Sequence, residues 1–353
     1  MRVCHVVRRY GPVGGMEAYV YYLTRALAKL DVDIVILCEE DLSAAGHPPN
    51  LAVHAIGVTP MRRPRWKAME CFRNRVQPEV VRLKKDGYLI HSHERIAGHH
   101  VSTQHGPLMT GRVNPLAVFF SKRLRRWLKF EREELDCLMV LPVSSLLRSD
   151  IEAISNVANL GPTTWPGMVE SGKSQSKPPA ERSNHIIFVG REVKRKGLDI
   201  AIDIIREIRR IDPIIELHVY GALEEEVHRK WRQPFVRYFG WVESVPYHNY
   251  KTLIHPARIE PYGMAVAEAL SKGVSCFVSN RTGVLGLRDQ ISGLDLHELV
   301  SLNGARDCAL QISRFQNDLK GRGSVDTKLG ASIPWSWADL AKMHYDHVYL
   351  AVL

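Results

Sequence analysis

A strand, a glycine-rich loop and a helix follow one another near the start of the chain, and the same succession returns in its second half. Arg2 to Arg9 is an apolar run of strand length, and Gly11-Pro12-Val13-Gly14-Gly15 breaks it. Met16 to Lys29 then places Tyr19, Leu23, Ala26 and Leu27 on one helical face. Asp33 to Cys38 reads as a second strand, so the opening is a βαβ unit and the layered class is α/β. Further strands are expected at Leu51 to Ile56, Leu89 to Ser92, Val101 to Gln104 and Cys137 to Pro142.

From Trp165 to Asn184 the chain turns polar and rich in Gly, Ser, Lys and Pro, the composition of a linker or exposed loop. A second series follows: a strand at His185 to Gly190, a helix at Leu198 to Arg210, and strands at Ile214 to Tyr220, Val236 to Phe239 and Val274 to Ser279. A length of 353 residues has room for about two domains, each with its own core. The expected organisation is two Rossmann-like doubly wound domains facing a cleft, at 1–165 and 185–334. A linker at 166–184 joins them, and a helix with aromatic anchors covers 335–353. In such sheets ligands sit beyond the carboxyl ends of the strands, where most of the glycines fall.

Composition narrows the function classes. Hydrophobic content of 45% and charged content of 24% are those of a folded globular chain. The six cysteines are scattered, with no C-x-x-C pair, so neither a zinc site nor a disulfide framework is expected and a reducing cytoplasmic setting is. His5, Arg8 and Arg9 interrupt the first apolar run, which argues against a signal peptide. No uninterrupted apolar stretch reaches the ~18 residues needed to span a bilayer. The formal net charge of +10, with a pI near 9.3, leaves anionic lipid, nucleic acid and a phosphorylated substrate as partner classes.

The sharpest local signal runs from His255 to Leu270. A strand end at Thr252 to Ile254 enters a turn holding Glu260, Pro261, Tyr262 and Gly263, and a helix-forming run begins at Met264. Pro261 suits a first turn because its φ is preset. The N–H groups of Gly263, Met264 and Ala265 would open the helix, where orphan donors and a partial positive dipole attract anions. Glu260 and Glu268 flank that end, so one segment offers a phosphate cradle and two carboxylates for sugar hydroxyls. This combination suits a nucleotide-linked sugar.

The string E-P-Y-G-M-A-V-A-E-A-L, followed by Ser271-Lys272-Gly273-Val274, resembles the E-x7-E signature of retaining glycosyltransferases of family 4. Those enzymes have the two-domain GT-B fold, and the chain is similar to their bacterial lipopolysaccharide-core and surface-polysaccharide members. The resemblance implies that Glu268 holds the nucleotide ribose, that Glu260 contacts the sugar, and that Tyr262 to Ala265 line the donor. It implies a C-terminal helix that crosses back to the first domain. Val189-Gly190-Arg191-Glu192-Val193-Lys194-Arg195-Lys196-Gly197 resembles the family's diphosphate motif, with Arg191 and Lys196 in the matching places. A departing nucleoside diphosphate gains negative charge in the transition state, where fixed cations favour it most. Lys194 and Arg195 read as solvated loop residues.

Gly14-Gly15-Met16-Glu17 resembles the family's G-G-x-E loop, where the two glycines let the backbone approach the donor and Glu17 either meets acceptor or caps its helix. The glycine spacing does not fit the dinucleotide fingerprint G-x-G-x-x-G. Histidines gather between His91 and His105. The family places a functional histidine before glycine, close to the sugar, and that position here is His105; His93 is either a second such residue or a structural one. The base is implied to lie near Gly221 and near Gly240-Trp241-Val242. Asn159-Leu160-Gly161-Pro162-Thr163 stands where the family often carries an N-G-V-D turn.

Asp31-Val32-Asp33 sits in a turn and reads as capping, not as a metal-binding D-x-D. No metal cofactor is expected; arginine, lysine and helix amides would take its place at the diphosphate. Two stretches interleave cations with aromatics: Arg62, Arg63, Arg65, Lys67, Arg73 and Arg75 around Trp66, Met69 and Phe72, and the run Phe119 to Phe130. Such helices suit an anionic membrane surface, or else turn their aromatics inward. Without a nucleic-acid motif, nucleic acid is not expected as a partner. The reading is a retaining hexosyltransferase, cytoplasmic or peripheral on the inner face of the membrane, acting on a glycan or lipid-linked acceptor. Its rivals are a nucleotide-sugar epimerase of the same fold and a basic nucleic-acid-binding protein.

Overall fold

The computed structural model describes residues 1–60, 63–154, 159–168, 181–321 and 336–353. The middle of the expected linker, 169–180, lies outside the described residues, as do Arg62 and Trp335. The chain divides into two compact units, Met1–Val169 with Trp335–Leu353, and Glu170–Pro334.

In the first unit the elements run β1 (Arg2–Val6), β2 (Arg9–Tyr10), α1 (Gly15–Leu27), β3 (Asp33–Cys38), β4 (Glu40–Asp41), β5 (Leu51–Ala55), α2 (Arg65–Lys85), β6 (Leu89–Ser92), β7 (Val101–Gln104), α3 (Pro115–Phe120), α4 (Lys122–Leu135), β8 (Met139–Pro142) and α5 (Ser145–Ile154). Six strands form a sheet in the order β5-β3-β1-β6-β7-β8, and every pairing in it is parallel. Central parallel strands are buried on both faces, which is why β3 reads Asp-Ile-Val-Ile-Leu-Cys with five buried residues in succession.

The second unit contains β9 (Ser183–Val189), α6 (Leu198–Ile208), β10 (Leu217–Tyr220), β11 (Val236–Gly240), β12 (Tyr250–His255), α7 (Met264–Ser271), β13 (Ser275–Val278), β14 (Leu296–Glu298) and α8 (Ala305–Gly321). Its sheet has the order β11-β10-β9-β12-β13-β14, again parallel. Helix α6 buries Leu198, Ala201, Ile202, Ile205 and Ile208, the three-and-four spacing of one helical face. They pack with Phe188, Val219, Phe277 and Ile312 into one core. Each such aliphatic side chain contributes about 1.5–3 kcal/mol by leaving water.

The chain ends with α9 (Trp337–His344), a π-helical turn at Tyr345–Tyr349 and α10 (Leu350–Val352). This segment belongs to the first unit. Trp337 meets Tyr19 and Tyr22 of α1 at 5.7 and 5.3 Å between ring centres, and Met168 forms a bridge with Ser336.

Three expectations need adjusting. The first strand stops at Val6 rather than Arg9, because Arg8 leaves the sheet to pair with Glu39. The strand expected from Ile214 begins only at Leu217, since Ile215 is still in a turn bonded to Asp212 and Ile214 is exposed. The strand expected from His185 starts at Ser183, inside the expected linker, where the side chain of Arg182 is already tied to the Gly273 carbonyl.

Strand order decides where a ligand can sit. Winding reverses between β1 and β6 in the first sheet and between β9 and β12 in the second. Doubly wound sheets bind at the carboxyl ends of the strands flanking that reversal.

Candidate functional site

In the second unit those two strand ends are Val189 and His255, and the loops leaving them carry the sequence motifs. The β9 loop turns at Gly190, whose φ is +153°. A Cβ there would lie 2.2 Å from Lys196 Cδ, so the missing side chain is the passage through which Lys196 reaches inward. Lys196 Nζ meets Glu260 Oε2 at 2.9 Å. The same oxygen takes Arg195 Nη1 at 3.3 Å and His255 Nε2 at 3.3 Å. Burial by itself would raise the Glu260 carboxyl, but Lys196, His255 and Arg195 together hold it well below the ordinary carboxylate range. Burial keeps His255 neutral, working against the carboxylate beside it. Glu260 is therefore a fixed anion that orders two cations.

Arg195 is a correction. It is not a solvated loop residue: it donates to the Ile259 carbonyl at 2.8 Å as well as to Glu260, and it also pairs with Glu192. Arg191, by contrast, is exposed, and its side chain forms no ion pair or hydrogen bond among the described residues. A guanidinium left without a partner at a strand end is available to an anion, with the two-oxygen grip that suits phosphate.

Gly263 caps α7 with a φ of +112°, which turns the chain sharply from the Glu260 loop into the helix. As residues of the first turn, Met264 and Ala265 have N–H groups without an intrahelical acceptor. Tyr262 is buried, so its ring shapes the turn from within, while its carbonyl accepts from Val284 at 2.7 Å. Glu268 stands exposed on α7, where the Tyr247 hydroxyl donates to its Oε2 at 3.2 Å. Gly221 follows β10 and Gly240 ends β11, and the two are joined by a 2.6 Å backbone hydrogen bond. Beside them Trp241 is 65% exposed and Val242 half-buried, an uncovered aromatic face at the same edge of the sheet. Arg195, His255 and Tyr247 were not assigned roles from sequence. No local signal separates them from ordinary loop and strand residues.

In the first unit Gly14 caps α1, and Glu17, its carboxylate lying against Gly14, is ion-paired with Arg9. At the point where winding reverses, β1 and β6 place His5 opposite His91. His93 follows directly and His105 follows β7. His5 Nδ1 lies 3.0 Å from His93 Nε2, and His93 Nδ1 lies 3.0 Å from His105 Nε2. His5, His91 and His93 are close enough to share a metal ion. Yet both nitrogens of each ring are already hydrogen-bonded, so an ion would have to displace those partners. A second group, His185, Glu216 and His218, is similarly spaced, and there Arg237 occupies both oxygens of Glu216.

The two basic stretches part company. Met69 and Phe72 are core residues, Arg73 is bound to Glu133 and to the Arg95 carbonyl, and Arg75 holds the Ile56 carbonyl. That helix is structural. The second stretch leaves Phe119 and Phe120 exposed by 71% and 81%, beside exposed Lys122, Arg123 and Arg125. Its Phe130 lies in the core.

A model described as Glycosyltransferase Family 4 matches residues 13–159, and one described as Glycosyl transferases group 1 matches 183–318. The chain belongs to glycosyltransferase family 4. The structure of this family 4 enzyme is similar to that of WaaG, a glycosyltransferase involved in lipopolysaccharide biosynthesis, at 14% identity and a TM-score of 0.72 over 99% of this chain and 96% of the other. It is also similar to sucrose-phosphate synthase from Thermosynechococcus elongatus, at 16% identity and a TM-score of 0.73 over 98% and 97%. HepE of Anabaena, in complex with UDP and glucose, matches over the full length of both chains at 14% identity and a TM-score of 0.65. At these identities the likeness is one of fold, which is GT-B. No curated protein matches the chain closely enough to be counted a relative. No helix among the described residues is long and apolar enough to cross a membrane.

Proposed function

We propose that this enzyme is a retaining hexosyltransferase that uses a nucleoside-diphosphate sugar and a hydroxyl of a glycan acceptor. The observation that carries the reading is the convergence at one strand edge of an unpaired Arg191, the Lys196–Glu260 pair and the opening amides of α7. Arg191, Lys196 and the Met264 and Ala265 amides receive the diphosphate, so no metal is required to neutralise it. Glu268 takes the ribose. Gly221, Trp241 and Val242 border the base, and Gly263 lets the donor approach the turn. The bound UDP and UDP-glucose of HepE support a nucleotide-sugar donor.

The state of Glu260 supports a retaining mechanism that uses no glycosidase-like acid and nucleophile. A carboxylate already neutralised by two cations is a weak base and a weak nucleophile, unlike the free carboxylate a covalent intermediate needs. Departure and attack on one face of the sugar, with the leaving diphosphate held by Lys196 and Arg191, requires neither. Exposed Phe119 and Phe120 beside Lys122, Arg123 and Arg125 suit the inner surface of an anionic membrane, where each cation is worth about 1 kcal/mol. A lipid-linked acceptor such as lipopolysaccharide core fits that surface. The names of WaaG and of WaaB, an outer-core galactosyltransferase, point the same way.

Thermal shifts against nucleoside diphosphates and their hexoses test the donor, since a ligand at 100 times its Kd adds about 2.7 kcal/mol. One diphosphate series should stabilise the protein, and release of the diphosphate should depend on added glycan. Conversion of the donor with no acceptor present would identify an epimerase instead. Binding to vesicles should require anionic lipid and fall with Phe120→Asp.

Gly190→Ala offers a local check. Its Cβ would displace Lys196 from Glu260. Loss of one charge-assisted contact, about 1.5–3 kcal/mol, should weaken diphosphate binding by roughly tenfold or more in calorimetry. Unchanged binding would remove Lys196 from the site.

A further inference from the structure

Among the eight residues of α7 only Glu268 is exposed. An exposed glutamate on a helix ordinarily leans toward a lysine four residues on. Lys272 holds that place, yet no ion pair joins the two among the described residues. The carboxylate turns instead to Tyr247, 21 positions away along the chain, whose hydroxyl donates to Oε2 at 3.2 Å.

Tyr247 is buried, in the short turn Tyr247–Asn249 that lies between β11 and β12. The backbone holds that turn: the Tyr247 N–H donates to the Val245 carbonyl at 2.8 Å and the Asn249 N–H to that of Pro246 at 3.0 Å. A hydroxyl on a buried ring in a fixed turn is a donor at a fixed place. It also keeps its proton, because burial and the neighbouring carboxylate push it well above its ordinary value. Desolvation raises the Glu268 carboxyl, and the Tyr247 hydroxyl works against that shift. A phenol differs here from a lysine or arginine: it orients the anion without cancelling its charge. An ionised carboxylate has about four lone-pair sites on its two oxygens. Oε1 of Glu268 has no partner among the described residues, and Oε2 has taken one donor. Two acceptor oxygens side by side, one of them anchored, match the paired hydroxyls of a ribose.

We propose that Tyr247 is a positioning residue for Glu268: it anchors Oε2, so that the carboxylate presents Oε1 and the second lone pair of Oε2 to the vicinal hydroxyls of the nucleotide ribose. The inference rests on the reading that Glu268 takes the ribose. It adds the residue that gives the carboxylate its direction, one that lies outside the Glu260 to Glu268 segment. The ribose is remote from the bond that breaks, so the contact serves ground state and transition state alike. It therefore acts on donor affinity and not on the chemical step.

Calorimetry on the full chain with UDP, GDP, ADP and CDP, each beside its 2′-deoxy and 3′-deoxy counterparts, reads the contact. With the diphosphate that binds, the wild-type protein should prefer the ribose form by roughly tenfold, the scale of a hydrogen bond to a charged group. Tyr247→Phe keeps the buried ring, and the exposed Glu268 can turn to water, so the fold should persist; the melting temperature checks it. That variant should lose most of the preference, with the donor KM raised by the same factor and kcat little changed. In a Glu268→Ala background it should change nothing further, since a residue that acts through another has no effect once the other is gone. Weaker binding of ribose and deoxyribose forms alike, or an added loss in the Glu268→Ala background, would show that Tyr247 only packs and would overturn the proposal. A ribose preference that survives Tyr247→Phe but not Glu268→Ala would overturn it too, while leaving Glu268 on the ribose. A preference that is absent from the wild type, or that survives Glu268→Ala, removes Glu268 from the ribose and sinks both readings. Binding of none of the four diphosphates would end the donor reading itself.

Discussion

Lowering the pH from 7.5 to 5.5 should cost the first unit a large part of its stability. His5, His91, His93 and His344 are all but inaccessible to water, and burial depresses each of them far below the ordinary histidine value. A base whose folded pKa is lowered stays neutral in the native state while the unfolded chain takes up protons below about pH 6.5. Its contribution is full above that value and is lost progressively as the pH falls toward the folded pKa. At pH 5.5 the loss is about 1.4 kcal/mol for each ring that stays neutral in the fold.

Glu94 works in the opposite sense. Burial pushes its carboxyl up to about 8 despite the nearby Arg8. It is protonated in the fold and ionised in the unfolded chain over the same window, so acidification returns about 2.5 kcal/mol. Burial shifts Glu134 in the same direction, against the pull of Arg95. The wild-type protein should therefore lose only the difference between the histidine and carboxyl effects, out of the ~5–15 kcal/mol typical of a domain. Glu94→Gln should uncover the larger histidine effect. Urea unfolding followed by circular dichroism at both pH values measures this. Equal midpoints at pH 7.5 and 5.5 in the Glu94→Gln protein would mean that the rings are not buried neutral.

Lys196→Ala should lower kcat/KM about a thousandfold, the upper range for removing one fixed donor from a developing charge. Two effects combine. The ammonium that would meet the leaving diphosphate disappears, and Glu260 keeps only Arg195 and a neutral His255 as partners. Lys196→Arg should recover little, because the passage over Gly190 is cut for an unbranched chain that ends in a single ammonium. Steady-state release of the nucleoside diphosphate reads the effect, and the melting temperature of the variant separates it from loss of fold. A decrease below tenfold in a folded variant would show that Lys196 does not meet the leaving group.

The two motifs of the second unit were legible as motifs because each is local. Glu260, Gly263 and Glu268 fall within one turn and one helix, and Gly190, Arg191 and Lys196 within one loop, so their spacing along the chain is nearly their spacing in space. Arg195 was misjudged for the converse reason. Nothing in Lys194-Arg195-Lys196 says which of three neighbouring cations turns inward, and only the buried Glu260, 65 residues away, makes the choice. The first basic helix stayed open between two readings for the same reason: whether Met69 and Phe72 face water or core depends on the sheet beneath them. β14 was not expected at all. Leu296 to Glu298 has little strand character of its own and becomes a strand by pairing with β13.

From the amino-acid order alone came the α/β class, two series of strands and helices, and the glycines and acids of the strand-end turns, since periodicity and backbone freedom act over a few residues. The histidine cluster came from tertiary structure. His5 and His93 are 88 positions apart and His91 and Tyr349 are 258 apart. They meet because parallel pairing sets β1 beside β6, and because the C-terminal segment packs in the same unit. Burial then keeps the rings neutral, and a neutral ring must give one hydrogen bond and take another. That requirement exists only once water has been excluded.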